Sequence, residues 1–220
     1  MGDPLADLDG ERLALLGAPL ELGVLRRVAE GRLPGAAITV LDPLVASRPP
    51  DPAALEHAAA ELALFPWLVV DSELAVETLW PLCGGGLPLQ LRVAAAGTGA
   101  RLALDAVGRP AALACRTSRG LGQRLGPHVG RATRVLVAGG RGLAQRLAAE
   151  LRHLGADAIP IDSHHTEAPV SASATVAALA RSGRTAIGIT SEEARDCASS
   201  LIDRLPVDLR DRLRVAELSL

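Results

Sequence analysis

Short apolar runs alternate with segments of helical periodicity along almost the whole chain. Runs of Val, Ile, Leu and Ala bounded by Gly, Pro, Asp or Ser read as buried strands, and apolar residues recurring every three or four positions read as helix faces. Strands are expected at residues 12–16, 36–41, 67–70, 91–96, 111–115, 134–138, 156–161, 186–190 and 214–218. Helices are expected at 20–30, 53–64, 72–80, 98–107, 119–129, 143–154, 170–181 and 192–201. Two stretches break the alternation, a Pro-rich one at 42–52 and a polar one at 162–169, and both read as linkers. Pro52 suits a first helical position. Strands alternating with helices of this length imply parallel sheets covered on both faces.

The order of elements recurs within the chain. RLALLG at 12–17 falls over RVLVAG at 134–139, and GAAITVLD at 35–42 over GADAIPID at 155–162. LVVDSE at 68–73 then falls over IGITSE at 187–192, and LRVA at 91–94 over LRVA at 213–216. The offset stays at roughly 120 residues throughout, the mark of a degenerate tandem repeat. In the first copy the last of these strands runs into Gly97-Thr98-Gly99 and a helix, whereas the second copy is expected to stop short at Leu220.

Composition narrows the function classes. Hydrophobic residues make up 49% of the 220, but aromatics only 1%, so the core must be built from Leu, Val, Ile and Ala. All 23 basic residues are Arg, and the net charge is −2. No basic surplus exists for a nucleic-acid backbone, and no polybasic run for an anionic membrane. No apolar run approaches the roughly 20 residues that span a bilayer. The acidic N-terminus lacks a signal-peptide core, and Cys83, Cys115 and Cys197 have no metal-type spacing. A cytoplasmic protein is expected, with Cys115 and Cys197 as inert thiols in or beside the core.

The order of segments resembles the uroporphyrinogen-III synthase family over essentially the whole chain. The GAAITVLDP segment at 35–43 is similar to that family's second strand, and PWLVVDSELAV at 66–76 to its strand ending in Thr-Ser. VAAAGTGA at 93–100 looks like its Gly-Pro-x-Thr turn, VLVAGGR at 135–141 its Val-Leu-Leu-Pro-Arg-Gly strand, and SHHT at 163–166 its second linker. The departures are specific: no Arg follows the first strand, Asp71 replaces the Thr of Thr-Ser, His164 stands for a Tyr, and Ala100 for the Thr of the turn. The resemblance implies two flavodoxin-like parallel-sheet α/β domains joined by a two-stranded linker and related by the internal repeat. Residues 1–41 plus 166–220 would form one domain, with about four strands, and 45–162 the other. The last strand of the first would lack a covering helix, exposing Val215 and Leu220 and favouring self-association.

The implied reaction closes hydroxymethylbilane with inversion of its last pyrrole ring and loss of water, without metal or organic cofactor. The substrate, or a related tetrapyrrole, carries many carboxylates. Backbone N–H groups at strand-to-helix turns suit such a polyanion, because the helix dipole favours negative charge there. The candidate binding residues are therefore Ser72, Gly97, Thr98, Gly139, Gly140, Arg141, Thr190 and Ser191. Ser72 and Ser191, each followed by Glu, read equally as helix caps. His164 is the candidate general acid, against a plain reading as a solvated linker histidine. Asp162 and His164 are too few for a metal site, and His165 points to the opposite side of an extended chain. Two readings rival catalysis. One is a family member that has lost activity and acts as a ligand-binding or partner protein. The other is a Rossmann nucleotide-binding enzyme using Gly139-Gly140-Arg141-Gly142 with Asp157 or Asp162 downstream, although Gln145 replaces its third glycine. Gly97-x-Gly99 fails the same pattern at Leu102.

Overall fold

The computed structural model describes residues 12–47, 49, 51–116, 118–140 and 142–218. Its elements run β1 (Arg12–Leu15), α1 (Pro19–Arg32), β2 (Ile38–Val40), β3 (Val45–Ser47), α2 (Pro52–Ala60), β4 (Trp67–Val70), α3 (Glu73–Leu82), β5 (Arg92–Ala96) and α4 (Thr98–Ala106). They continue with β6 (Leu113–Cys115), α5 (Ser118–Leu125), β7 (Arg134–Gly140), α6 (Leu143–His153), β8 (Asp157–Glu167) and α7 (Val170–Ser182). The last are β9 (Thr185–Ile189), α8 (Glu192–Asp203), α9 (Val207–Arg210) and β10 (Leu213–Glu217). The chain divides into two compact units, Met1–Val45 with Thr166–Leu220, and Ala46–His165.

In the first unit the described residues form a four-stranded sheet in the order β10-β9-β1-β2, parallel at every pairing. Side chains alternate across it, as the pleat requires. Leu13, Leu15 and Ala186 face α1 through Leu22, Leu25 and Ala29, while Ala14, Leu16, Ile187 and Ile189 face α7 and α8 through Val176, Ala198 and Leu201.

The second unit carries the sheet β3-β8-β7-β4-β5-β6, with β8, β7, β4, β5 and β6 paired in parallel. Leu68, Val70, Val93, Ala95, Leu136 and Ala138 pack under α2, α3 and α4. On the other face, Trp67, Val69, Ala94, Val135 and Val137 pack under α5 and α6. Helix starts follow local chemistry: Pro52 opens α2, and the Asp51 side chain accepts from the Ala54 N–H at 3.0 Å.

Several expectations need correction. Residues 42–52 are not wholly irregular, because β3 forms there and lies beside β8, with Ser47 Oγ donating to the His165 carbonyl at 3.4 Å. The polar stretch 162–169 is mostly strand. β8 runs on to Glu167, and Ser163 and His164 are 0% exposed. Polar side chains can lie inside a sheet when they find partners, and Ser163 and His164 do. Ser163 Oγ donates to the Gly139 carbonyl at 3.0 Å and lies 2.9 Å from His164 Nδ1. His164 is therefore no solvated linker residue. The helix expected over 119–129 ends at Leu125, and the short α9 went unforeseen. Val215 is half-buried against the α7–α8 side of its sheet, not laid open, and Leu220 lies outside the described residues.

Candidate functional site

Parallel strands with helical crossovers deliver every strand's carboxyl end, and the helix start that follows it, to one edge of the sheet. In the second unit β8, β7, β4 and β5 are successive neighbours, so that edge gathers His164, Gly139 and Gly140, Ser72, and Gly97 with Thr98. Thr190 and Ser191 occupy the same kind of edge in the first unit, after β9. Arg141 lies outside the described residues.

Each turn is held by its own bonds. Ser72 is the N-cap of α3, its Oγ accepting from the Ala75 N–H at 3.1 Å, and Ser191 caps α8 through the Ala194 N–H at 3.2 Å. The Gly97 N–H is committed to the Cys115 carbonyl at 2.7 Å, which ties the β5 end to β6. Thr98 opens α4, where first-turn N–H groups have no partner within the helix. At the end of β7 the register against β8 shifts between Gly139 and Gly140. Pairing passes from Gly139–Asp162 to Gly140–His164, so the extra residue is Ser163 on β8. The N–H of Gly140, beyond the last β4–β7 pair at Val70–Ala138, donates to Asp71 Oδ2 at 3.2 Å. A Cβ on Gly139 would overlap that carboxylate, so a larger residue there requires the Asp71 side chain to swing away from Gly140.

Asp71 was legible in the sequence as a departure from the family pattern, but its 69-residue reach to Gly140 was not. Ser163 was also missed. So were three buried acids in first helical turns, Glu21, Glu73 and Glu193, whose signal is an acidic residue just after a strand end. The positive end of the helix dipole favours carboxylates at such positions.

Other candidates resolve differently. Gln145 Nε2 donates to Asp162 Oδ1 at 2.6 Å. The residue that replaces a fingerprint glycine thus engages one of the two acids, Asp157 and Asp162, on which the Rossmann reading relied. Among the described residues no three of His, Cys, Asp and Glu gather as a metal site. Burial pushes the Cys197 thiol up to about 11, with Glu193, Asp196 and Glu167 adding to the shift, while its Sγ lies 3.5 Å from the Thr166 carbonyl. A thiol so protonated is a poor nucleophile. Among the described residues no helix is long and apolar enough to cross a membrane.

A two-unit α/β protein with parallel sheets and a small-residue edge at adjacent strand ends is the class that the fold defines. The family model of uroporphyrinogen-III synthase HemD matches residues 31–216, and the chain belongs to that family. Among solved structures, a mutant uroporphyrinogen III synthase from the extremely thermophilic bacterium Thermus thermophilus is similar at 17% identity, with 93% of this chain and 83% of that one covered and a TM-score of 0.52. That likeness is one of fold. Another structure of Thermus thermophilus uroporphyrinogen III synthase is 19% identical over 92% of this chain and 84% of that one, with a TM-score of 0.44. No curated protein sequence matches this chain.

Proposed function

We propose that the protein binds a linear tetrapyrrole polycarboxylate and cyclises hydroxymethylbilane with inversion of the last ring and loss of water. The family match over residues 31–216 carries this reading. The strand-end edge of the second unit supports it, because helix starts at Ser72, Thr98 and Gly142 stand on neighbouring strands. In this reading Ser72, Gly97, Thr98, Gly139, Gly140 and Arg141 are binding residues of the second unit, and Thr190 and Ser191 are binding residues of the first. Preorganised N–H groups orient the reactive chain, and few side chains need take part directly.

His164 enters as a positioning residue. Fully buried, it holds Ser163, which holds the Gly139 carbonyl and so the turn. His164→Ala is expected to lower stability by about 2–3 kcal/mol through the cavity and the broken pair. The internal repeat is retained as an inference, supported by the orders β2-β1-β9-β10 and β8-β7-β4-β5 in the two sheets.

One observation favours a second reading, a ligand-binding protein without synthase activity: the carboxylate of Asp71 already sits on the Gly140 N–H. The deciding experiment supplies enzymatically generated hydroxymethylbilane to the purified protein and measures type III against type I uroporphyrin after oxidation. An excess of type III over the protein-free control is expected. The protein-free ratio would defeat the synthase reading, and tetrapyrrole binding with that ratio would select the second.

A further inference from the structure

The turn formed by Asp71, Gly139 and Gly140 deepens the reading above, resting on it only for the class of ligand. We propose that Asp71 is a resident anion, its carboxylate filling the place at the ends of β4 and β7 where a ligand carboxylate would otherwise be held. Two observations converge on it. The Gly140 N–H, beyond the last β4–β7 pair, donates to Asp71 Oδ2 at 3.2 Å. The same carboxylate lies against the main chain of Gly139, where a Cβ would overlap it.

The consequence is a specificity. A tethered carboxylate acts at high effective concentration, so an acid on a ligand must displace it to reach Gly140. The second unit therefore reads a polycarboxylate through its other strand ends, and selects a ligand whose substituent opposite Gly140 is uncharged.

The test follows the Gly140 amide by 15N NMR during titration with formate, the smallest carboxylate, in the wild type, Asp71→Ala and Asp71→Asn. A saturable Gly140 shift is expected in Asp71→Ala alone, since the Asn carboxamide still fills the turn. An equal response in the wild type, or none in Asp71→Ala, overturns the proposal. Should Asp71→Ala fail to fold, Asp71→Ser is held to the same two outcomes. Uroporphyrin I, an octacarboxylate, then probes the specificity: Asp71→Ala should bind it about tenfold more tightly than the wild type, a difference of about 1.4 kcal/mol. Equal affinities overturn the specificity. Failure of every variant to bind uroporphyrin would count against the synthase reading, while the formate titration would still decide the role of Asp71.

Discussion

The two units solve the same junction differently. In each, a central strand lies parallel to a neighbour and ends in a polar residue, a capping serine and a glutamate: β4 beside β7 leads to Asp71-Ser72-Glu73, and β9 beside β1 to Thr190-Ser191-Glu192. In the second unit Asp71 crosses to the end of β7 and takes the Gly140 N–H. In the first unit Thr190 offers only a hydroxyl, and its Oγ1 is buried with no hydrogen-bond partner among the described residues. The glycine after β1, Gly17, is not pressed by that residue. A Cβ there would come within 3.4 Å of Glu21, which belongs to the helix that follows. One junction thus holds a carboxylate from the adjacent strand against the glycines that end β7, whereas at the other the carboxylate beside the glycine, that of Glu21, comes from the helix that follows. Two parallel sheets of like strand order thus differ in the chemistry of their strand ends.

The sharpest way to break this comparison is at Gly139. Gly139→Ala puts a methyl where the Asp71 carboxylate lies, so that side chain must swing away and give up its Gly140 bond, and the variant is expected to lose about 2 kcal/mol in denaturant unfolding. In an Asp71→Ala background the same change should cost less than about 1 kcal/mol, because the obstructing group is gone. Additive costs would show that the two positions do not share a lock. Gly17→Ala, with only the 3.4 Å approach to Glu21, should cost about 1 kcal/mol or less.

The strands β4, β5, β7 and β9 were legible because their apolar runs lie in the middle of sheets packed on both faces, where nearly every position is buried. The continuation of β8 through Ser163 and His164 was hidden for the opposite reason. Polar side chains signal a loop unless their partners are known, and the partner of Ser163 is a carbonyl 24 residues earlier. The strand-end turns could be placed from sequence, since Gly and Ser after an apolar run mark where a parallel strand becomes a helix. What occupied them could not. A local pattern shows that Asp71 follows β4, but only the sheet order, which sets β7 next to β4, shows that it faces Gly140.

Packing beneath the junctions offers a second test, smaller in effect. On the α5–α6 side of the second unit, Val69 of β4 sits under Leu121, Leu147 and Leu151. On the α1 side of the first unit the matching position of β9 is Gly188, where a Cβ would lie 2.8 Å from Leu218 Cδ1, 3.0 Å from Leu15 Cδ2 and 3.1 Å from Leu13 Cδ1. Leucines from three directions have closed over a glycine. Gly188→Val is therefore expected to lower stability by about 2 kcal/mol through overpacking, and Val69→Ala by about 1–2 kcal/mol through loss of buried methyls. A neutral Gly188→Val would mean that Leu218 is free to move away.

The smallest effect separates the two serine caps. Both accept from the N–H three residues on, Ser72 from Ala75 at 3.1 Å and Ser191 from Ala194 at 3.2 Å, so Ser→Ala at either removes the same bond. Loss of such a cap costs about 1 kcal/mol. Their surroundings differ, however: Ser72 is buried, while Ser191 is half-exposed. Ala75 and Ala194 are both 0% exposed, so only the serine position differs. With Ser191→Ala, water can enter at the half-exposed cap and limit the cost to about 0.5 kcal/mol. With Ser72→Ala the buried cap admits none, and the cost should approach about 1.5 kcal/mol. The difference, about 1 kcal/mol, is measurable as a shift in denaturation midpoint at unchanged slope. Equal midpoints for the two variants would mean that water reaches both junctions alike, and that the second unit's strand ends are more open than their burial indicates.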